Sequence, residues 1–262
     1  MDLGLRGKVA IVTGASKGIG RAIAEEFAAE GVHLALCARG QALLQEVAAA
    51  LQRQHDVQVL PVAADLSTLA GVQTLVRQTV QRFGGVDILV NNAGAIRAGS
   101  LLGKPDAEWH EDWALKVFGY VRLMREVFPV LQARGGGRII NIIGGAGRQP
   151  NPGYLAGGGA NAALMNITKA LADEGGPQNI LVNAINPGPI RTERWDGLMA
   201  RLAAERGQTP QEVEAAWLRD NPLRRPGEPR EVAALAVFLA SPRASYINGA
   251  IIPVDGGATR CI

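Results

Sequence analysis

Residues 8–20 read Lys-Val-Ala-Ile-Val-Thr-Gly-Ala-Ser-Lys-Gly-Ile-Gly. The first six are a short, mostly apolar run that reads as a buried strand, and an amphipathic helical pattern over 18–30 follows it. A strand that turns at once into a helix needs residues without Cβ at the bend. Gly14, Gly18 and Gly20 provide them at the spacing Gly-x3-Gly-x-Gly. Such a turn, with Ser16, Lys17 and Ile19 between the glycines, leaves backbone N–H groups and the helix N-terminus facing outward, where a pyrophosphate can be held.

The alternation continues outward. Strands are expected at 32–38 (VHLALCA), 58–64, 86–93 (VDILVNNA), 138–143, 180–186 and 251–254, with helices at 41–54, 68–83, 108–134, 154–174 and 228–240. The helix over 108–134 should bend before Pro129. The stretch 191–221 is polar, with two helical pieces. Strands apolar on both faces and alternating with helices predict a parallel sheet of about seven strands covered on both sides. Right-handed crossovers make it a single-domain α/β, doubly wound, Rossmann-type fold spanning 1–262, with ligands at the carboxyl ends of its strands.

Composition excludes several classes. Of 262 residues 33 are glycine, about 13% against a usual ~7%, and 47% are apolar. That content is too apolar for a disordered chain. Two cysteines, Cys37 and Cys261, cannot staple a small scaffold. Cys37 reads as an inert core thiol and Cys261 as an exposed one. No charge-free apolar run approaches ~18 residues, so no membrane partner is expected. Residues 1–8 carry no basic-then-apolar leader, which reads as a cytoplasmic protein. The net charge of +3 comes from scattered basic residues, a poor match to nucleic acid. His33, His55 and His110 have no ligand spacing, so no metal is expected.

The residues after the second strand bear on cofactor choice. An acidic side chain there would bind the ribose 2′-OH of NAD. Ala38 and Arg39 stand there instead, and Lys17 lies in the glycine turn. Two cations suit a 2′-phosphate, so NADP(H) is preferred and NAD(H) remains possible.

With these residues the chain resembles the short-chain dehydrogenase/reductase family. The glycine motif at 13–20, Asp65 after the third strand, and Asn91-Asn92-Ala93-Gly94 after the fourth carry the resemblance. So do Asn186-Pro187-Gly188-Pro189-Ile190-Arg191-Thr192 after the sixth and Val254-Asp255-Gly256-Gly257 near the end. The resemblance implies that Asp65 and Leu66 border the adenine and that Asn92, with Ala93 and Gly94, lies along the cofactor. It implies that Ile190 and Thr192, beyond Pro187 and Gly188, meet the nicotinamide amide. It also implies a mobile substrate lid at about 191–221, and a homotetramer or homodimer paired through the helices of 108–131 and 154–174.

The family's chemistry rests on a Tyr-x3-Lys pair, an upstream Ser and a relay Asn. None is in place. The tyrosines are Tyr120, Tyr154 and Tyr246, and four residues beyond them stand Met124, Gly158 and Ala250. Alignment on Asn161-Ala162-Ala163-Leu164 puts Gly157 at the Tyr position, Asn161 at the Lys position, Gly144 at the Ser position and Lys116 at the Asn position. A positioned acid or base contributes typically ~10²–10⁴-fold, so another group must act if the protein turns over. Tyr154, one helical turn before Gly157, is the candidate acid; Lys116 is its candidate electrostatic partner, and Asn161 a donor to ribose or substrate. Arg97 and Arg148 are either solvated or bind an acidic substrate. Three functions stay open: an NADP(H)-dependent oxidoreductase acting on a small-molecule carbonyl or secondary alcohol, a cofactor-binding protein without turnover, and a non-redox isomerase or lyase on the same fold.

Overall fold

In the computed structural model, which describes residues 2–260, seven parallel strands form one sheet in the order β3-β2-β1-β4-β5-β6-β7. They are β1 Val9–Thr13, β2 His33–Ala38, β3 Val59–Ala63, β4 Ile88–Asn91, β5 Gly137–Ile142, β6 Ile180–Pro187 and β7 Ile251–Val254. Every residue of β1 and β4 is buried, as strands covered on both faces must be. Pro61 and Pro253 sit in β3 and β7, the two edge strands, where a missing N–H is tolerated.

The crossovers are α1 Gly18–Ala29, α2 Gln41–Gln54, α3 Leu69–Phe83, α4 Asp106–Trp113, α5 Tyr120–Ala133, α6 Leu155–Gly175 and α9 Pro229–Ala240. One face of the sheet packs on α1, α2 and α9 through Ile23, Phe27, Leu44, Leu51 and Val237. The other packs on α3, α5 and α6 through Leu75, Leu123, Val127 and Leu164. Helix ends follow local chemistry. Thr68 Oγ1 accepts from Gly71 N–H at the start of α3, and Gly84 ends that helix at φ 76°. Two further helices, α7 Glu193–Arg206 and α8 Pro210–Trp217, enclose a small core of their own from Trp195, Met199, Ala203, Val213 and Leu218. No helix among the described residues is long and apolar enough to cross a membrane.

One expectation is corrected. The helix read over 108–134 starts at Asp106, and its break is a π-helical turn at Ala114–Gly119 between α4 and α5. Pro129 instead lies inside α5. A π turn widens the helix by one residue per turn and re-aims a side chain, and Lys116 is at its middle. Cys37 is fully buried, and desolvation pushes its thiol up to about 12, so it is an inert core residue. Met1, Cys261 and Ile262 lie outside the described residues, and with them the expectation for Cys261.

Candidate functional site

Strand β1 leads to β2 on one side and neighbours β4 on the other, so a crevice opens where the winding reverses. The glycine turn lies at that point. Gly14 and Gly18 have φ of 66° and 56°, which side chains rarely adopt. A methyl on Gly14 would sit 2.8 Å from Asn92 Nδ2, and one on Gly20 would overlap Gly14 O. Asn92 explains the crowding. Its Nδ2 donates to Thr13 O at 2.9 Å, and its N–H donates to Thr13 Oγ1 at 2.9 Å. Ala93 N–H reaches the same hydroxyl at 3.0 Å. The ends of β1 and β4 are thereby locked together, with the N-terminus of α1 facing out.

The other expected cofactor residues distribute along this crevice. Arg39 is exposed at the end of β2 and has no carboxylate within 4.0 Å among the described residues. Asp65 is held below the usual carboxylate range by the Ser67 N–H that donates to it, with Arg39 adding to the effect. Leu66 is 3% exposed and packs into the α3–α5 core, so only its backbone can border a ligand. Lys17 Nζ pairs with Glu193 on α7 at 3.1 Å, both exposed, which ties the glycine turn to that helix.

Beyond Ile19 the crevice widens to a cleft of about 1100 Å³ at the carboxyl ends of β4, β5 and β6. Ile19, Asn92, Gly94, Pro187, Gly188, Ile190 and Thr192 line it, together with Lys116, Tyr154 and Asn161. Sequence positions far apart thus converge on one space. Gly18 and Gly20 lie in the glycine turn, and Ala93 follows β4 against Thr13.

Glycines shape this space by what fills it. A methyl on Gly157 would lie 2.6 Å from Tyr154 Cδ1 and inside the rest of that ring, so the tyrosine occupies the room a side chain at 157 would take. A methyl on Gly94 would lie 2.5 Å from Lys116 Cδ, and one on Gly144 would lie 2.9 Å from Asn161 Nδ2. Tyr154 is placed from outside the helix it precedes: Gly99 N–H donates to Gly153 O at 2.8 Å, pairing the loop after β4 with the entry to α6. Neither the Tyr154 hydroxyl nor the Asn161 amide has a protein hydrogen bond among the described residues, although Asn161 is only 4% exposed.

Lys116 is committed differently. Its Nζ donates to Ile142 O at 2.7 Å, Ile143 O at 3.4 Å and Tyr120 Oη at 3.1 Å, and Tyr120 Oη in turn donates to Ile142 O. It also lies 4.8 Å from the Tyr120 ring centroid. Full burial, with the nearby Arg194 charge, lowers the amine to about 7. Three acceptors suit an ammonium and oppose that shift.

The loop at 95–104 is clamped by α4. Asp112 accepts from Arg97 Nε at 3.2 Å and from Lys104 Nζ at 2.7 Å, and Glu111 takes Arg97 Nη2 at 2.8 Å. The Lys104 side chain is 1% exposed. Arg97 is therefore already paired, and Arg148 donates to Ile251 O. Sequence reasoning missed Lys104, Asp112 and Arg194. Lys104 and Asp112 form a buried i, i+8 pair across a loop, which no helical or strand period reveals. Arg194 sits beside the Pro-Gly-Pro-Ile turn, but only the packing of α7 aims it into the cleft, where it donates to Ile96 O at 2.9 Å.

Comparisons with known proteins agree with this architecture. The family profile described as Enoyl-(Acyl carrier protein) reductase matches residues 14–259. The chain is 33% identical over its whole length to the full length of an uncharacterized oxidoreductase, YvaG, of Bacillus subtilis. It is 33% identical over 97% of its length to 98% of the 3-oxoacyl-[acyl-carrier-protein] reductase FabG of Vibrio harveyi. Among solved structures, L-sorbose reductase of Gluconobacter frateurii, complexed with NADPH and L-sorbose, superposes with a TM-score of 0.97 at 41% identity, covering 100% of both chains. YwfH, an NADPH-dependent reductase involved in bacilysin biosynthesis, superposes with a TM-score of 0.93 at 30% identity over 97% of this chain and 99% of its own.

Proposed function

The chain belongs to the short-chain dehydrogenase/reductase family, and on that premise we propose that it is an NADP(H)-dependent oxidoreductase of small carbonyl compounds or secondary alcohols with a non-standard catalytic set. The observation that carries this reading is Tyr154, which lines the cleft with its ring in the space over Gly157 and its hydroxyl free of hydrogen bonds among the described residues. A neighbour complexed with NADPH supports this cofactor choice, and another complexed with NADH keeps NAD(H) open.

The turn fits a dinucleotide: without Cβ atoms at Gly14 and Gly20 it closes tightly on Asn92 and Ala93, which leaves the N-terminus of α1 facing out toward a pyrophosphate. The turn and the N-terminus of α1 hold its pyrophosphate, and Arg39 takes the 2′-phosphate, joined by Lys17 once that exposed side chain leaves Glu193. Ile190 and Thr192 meet the nicotinamide amide. When bound, the nicotinamide supplies or accepts the hydride. The protein's own part is proton handling and orientation. Tyr154 exchanges a proton with the substrate oxygen, Asn161 donates to ribose or substrate, and Lys116 places a positive potential at the wall of the cleft.

One observation favours a second reading, cofactor binding without turnover: the Lys116 amine spends its donors on Ile142, Ile143 and Tyr120. NADPH consumption across a panel of ketoses, aliphatic ketones and oxo acids separates the two. Consumption that drops in Tyr154→Phe supports the first; calorimetric binding with no consumption supports the second. No binding of any nicotinamide dinucleotide refutes both. A homotetramer or homodimer belongs to the same proposal, and light scattering reads it directly.

A further inference from the structure

Charge in the cleft is lopsided. Among the described residues four cationic side chains line it, Arg97, Lys116, Arg194 and Arg201, against one carboxylate, Asp255. That carboxylate is spent on the backbone N–H groups of Gly257 and Thr259. Three of the four cations are accounted for. Arg97 is paired with Glu108, Glu111 and Asp112. Arg201 is paired with Glu205 at 3.7 Å, and Lys116 caps backbone carbonyls. Arg194 differs: no carboxylate lies within 4.0 Å of it among the described residues. Its single hydrogen bond among the described residues, Nη2 to Ile96 O at 2.9 Å, ties the exposed guanidinium to the wall of the cleft and leaves its other edge unbonded. The Arg194 charge is also felt at Lys116, which places it within electrostatic reach of the reaction end of the cleft. Beside it, Leu198, Leu202 and the half-exposed Trp217 make an apolar wall.

We propose that Arg194 anchors an anionic substrate, an aliphatic oxo acid whose carboxylate meets the free edge of the guanidinium while its chain lies along Leu198, Leu202 and Trp217. A planar fork with two free N–H donors matches a carboxylate bidentately, which a lysine cannot do. The inference rests on the oxidoreductase reading for the group that reacts, but its test does not.

The test is equilibrium binding by calorimetry to the protein alone and, in parallel, to the protein with saturating NADP⁺. The probes are 5-oxohexanoate and 2-hexanone, which differ by a carboxylate in place of a terminal methyl. 5-Oxohexanoate is expected to bind more tightly by about tenfold to a hundredfold, the range of a charge-assisted hydrogen bond. Arg194→Gln removes that advantage, Arg194→Lys restores only part of it, and Arg201→Gln leaves it intact. Affinity for 2-hexanone and for NADPH stays within about twofold throughout. Equal binding of the two probes by the unaltered protein overturns the proposal. So does an Arg194→Gln variant that loses NADPH affinity as much as oxo-acid affinity, because Arg194 then serves a cofactor phosphate. Thermal melting confirms that the variants fold. Carboxylate-dependent binding without NADPH consumption upholds the anchor and removes the redox reading; consumption with neutral ketones alone does the reverse.

Discussion

Adding one methyl at Gly157 tests the centre of the proposed chemistry. The position lies in the first turn of α6 with an ordinary helical backbone, so alanine is conformationally allowed and gains about 0.5–1 kcal/mol over glycine. The methyl would stand 2.6 Å from Tyr154 Cδ1 and inside the ring beyond it, so the tyrosine must leave. Overpacking a rigid core costs about 1–3 kcal/mol. Here the obstacle is one side chain, half-buried at a helix entry and facing an open cleft, so the ring swings out instead. Stability should therefore change by no more than about 1 kcal/mol. If the phenol is the acid, kcat/KM should fall by ~10²–10⁴-fold, about 3–5 kcal/mol of barrier. Tyr154→Phe should cost the same, and the double variant should be no worse than either single one, since both remove one group. Nitration mapped by peptide mass gives a readout independent of turnover. Tyr246 is fully exposed and Tyr120 is 1% exposed, so any new reactivity in Gly157→Ala should be at Tyr154. Full turnover in Gly157→Ala, or losses that add in the double variant, would refute the reasoning.

Other perturbations follow from the same geometry. Lys116 is lowered to about 7 by burial, with Arg194 adding to it, so between pH 7 and its ordinary 10.5 the unfolded chain binds more protons than the folded one. This group's penalty is fully present below pH 7 and is relieved as pH rises. Lys116→Met should gain most on the unaltered protein at pH 6.5, and that margin should shrink by up to ~1.4 kcal/mol per pH unit toward pH 9; parallel urea-derived stability curves would contradict it. Asp112→Asn leaves the buried Lys104 ammonium with Arg97 O at 3.1 Å and, as its remaining carboxylate among the described residues, Glu108 at 3.4 Å, and should cost about 3 kcal/mol. At ~2–4 °C per kcal/mol, the melting temperature should fall by about 6–12 °C; a fall under about 2 °C would show that the pair is not buried in solution. Arg39→Ala should weaken NADPH by about tenfold or more and leave NADH nearly unchanged in a calorimetric titration, whereas equal losses for both would remove Arg39 from the 2′-phosphate.

The legible parts of the protein are those encoded by neighbours along the chain. Residues 9–13 read as a covered strand because four of the five are apolar, and the glycines that follow permit a tight strand-to-helix bend. Gln41–Gln54 and Ile251–Val254 could be bounded from periodicity alone. The π turn at Ala114–Gly119 could not: α4, the turn and α5 share one uninterrupted helical pattern, and the register change answers to packing against Leu66 and Gly94.

The amino-acid sequence by itself determined the doubly wound sheet, the glycine bend after β1 and the absence of a Tyr-x3-Lys pair, because strand period, glycine spacing and residue identity are properties of short segments. Only the tertiary structure decided which cations are occupied and which are free. Arg97 finds its carboxylates 11 to 15 residues on, Lys17 meets Glu193 across 176 residues, and Arg194 reaches back 98 residues to Ile96. Contacts at such separations are made by helices docking on a sheet, and electrostatics depends on distance in space rather than along the chain.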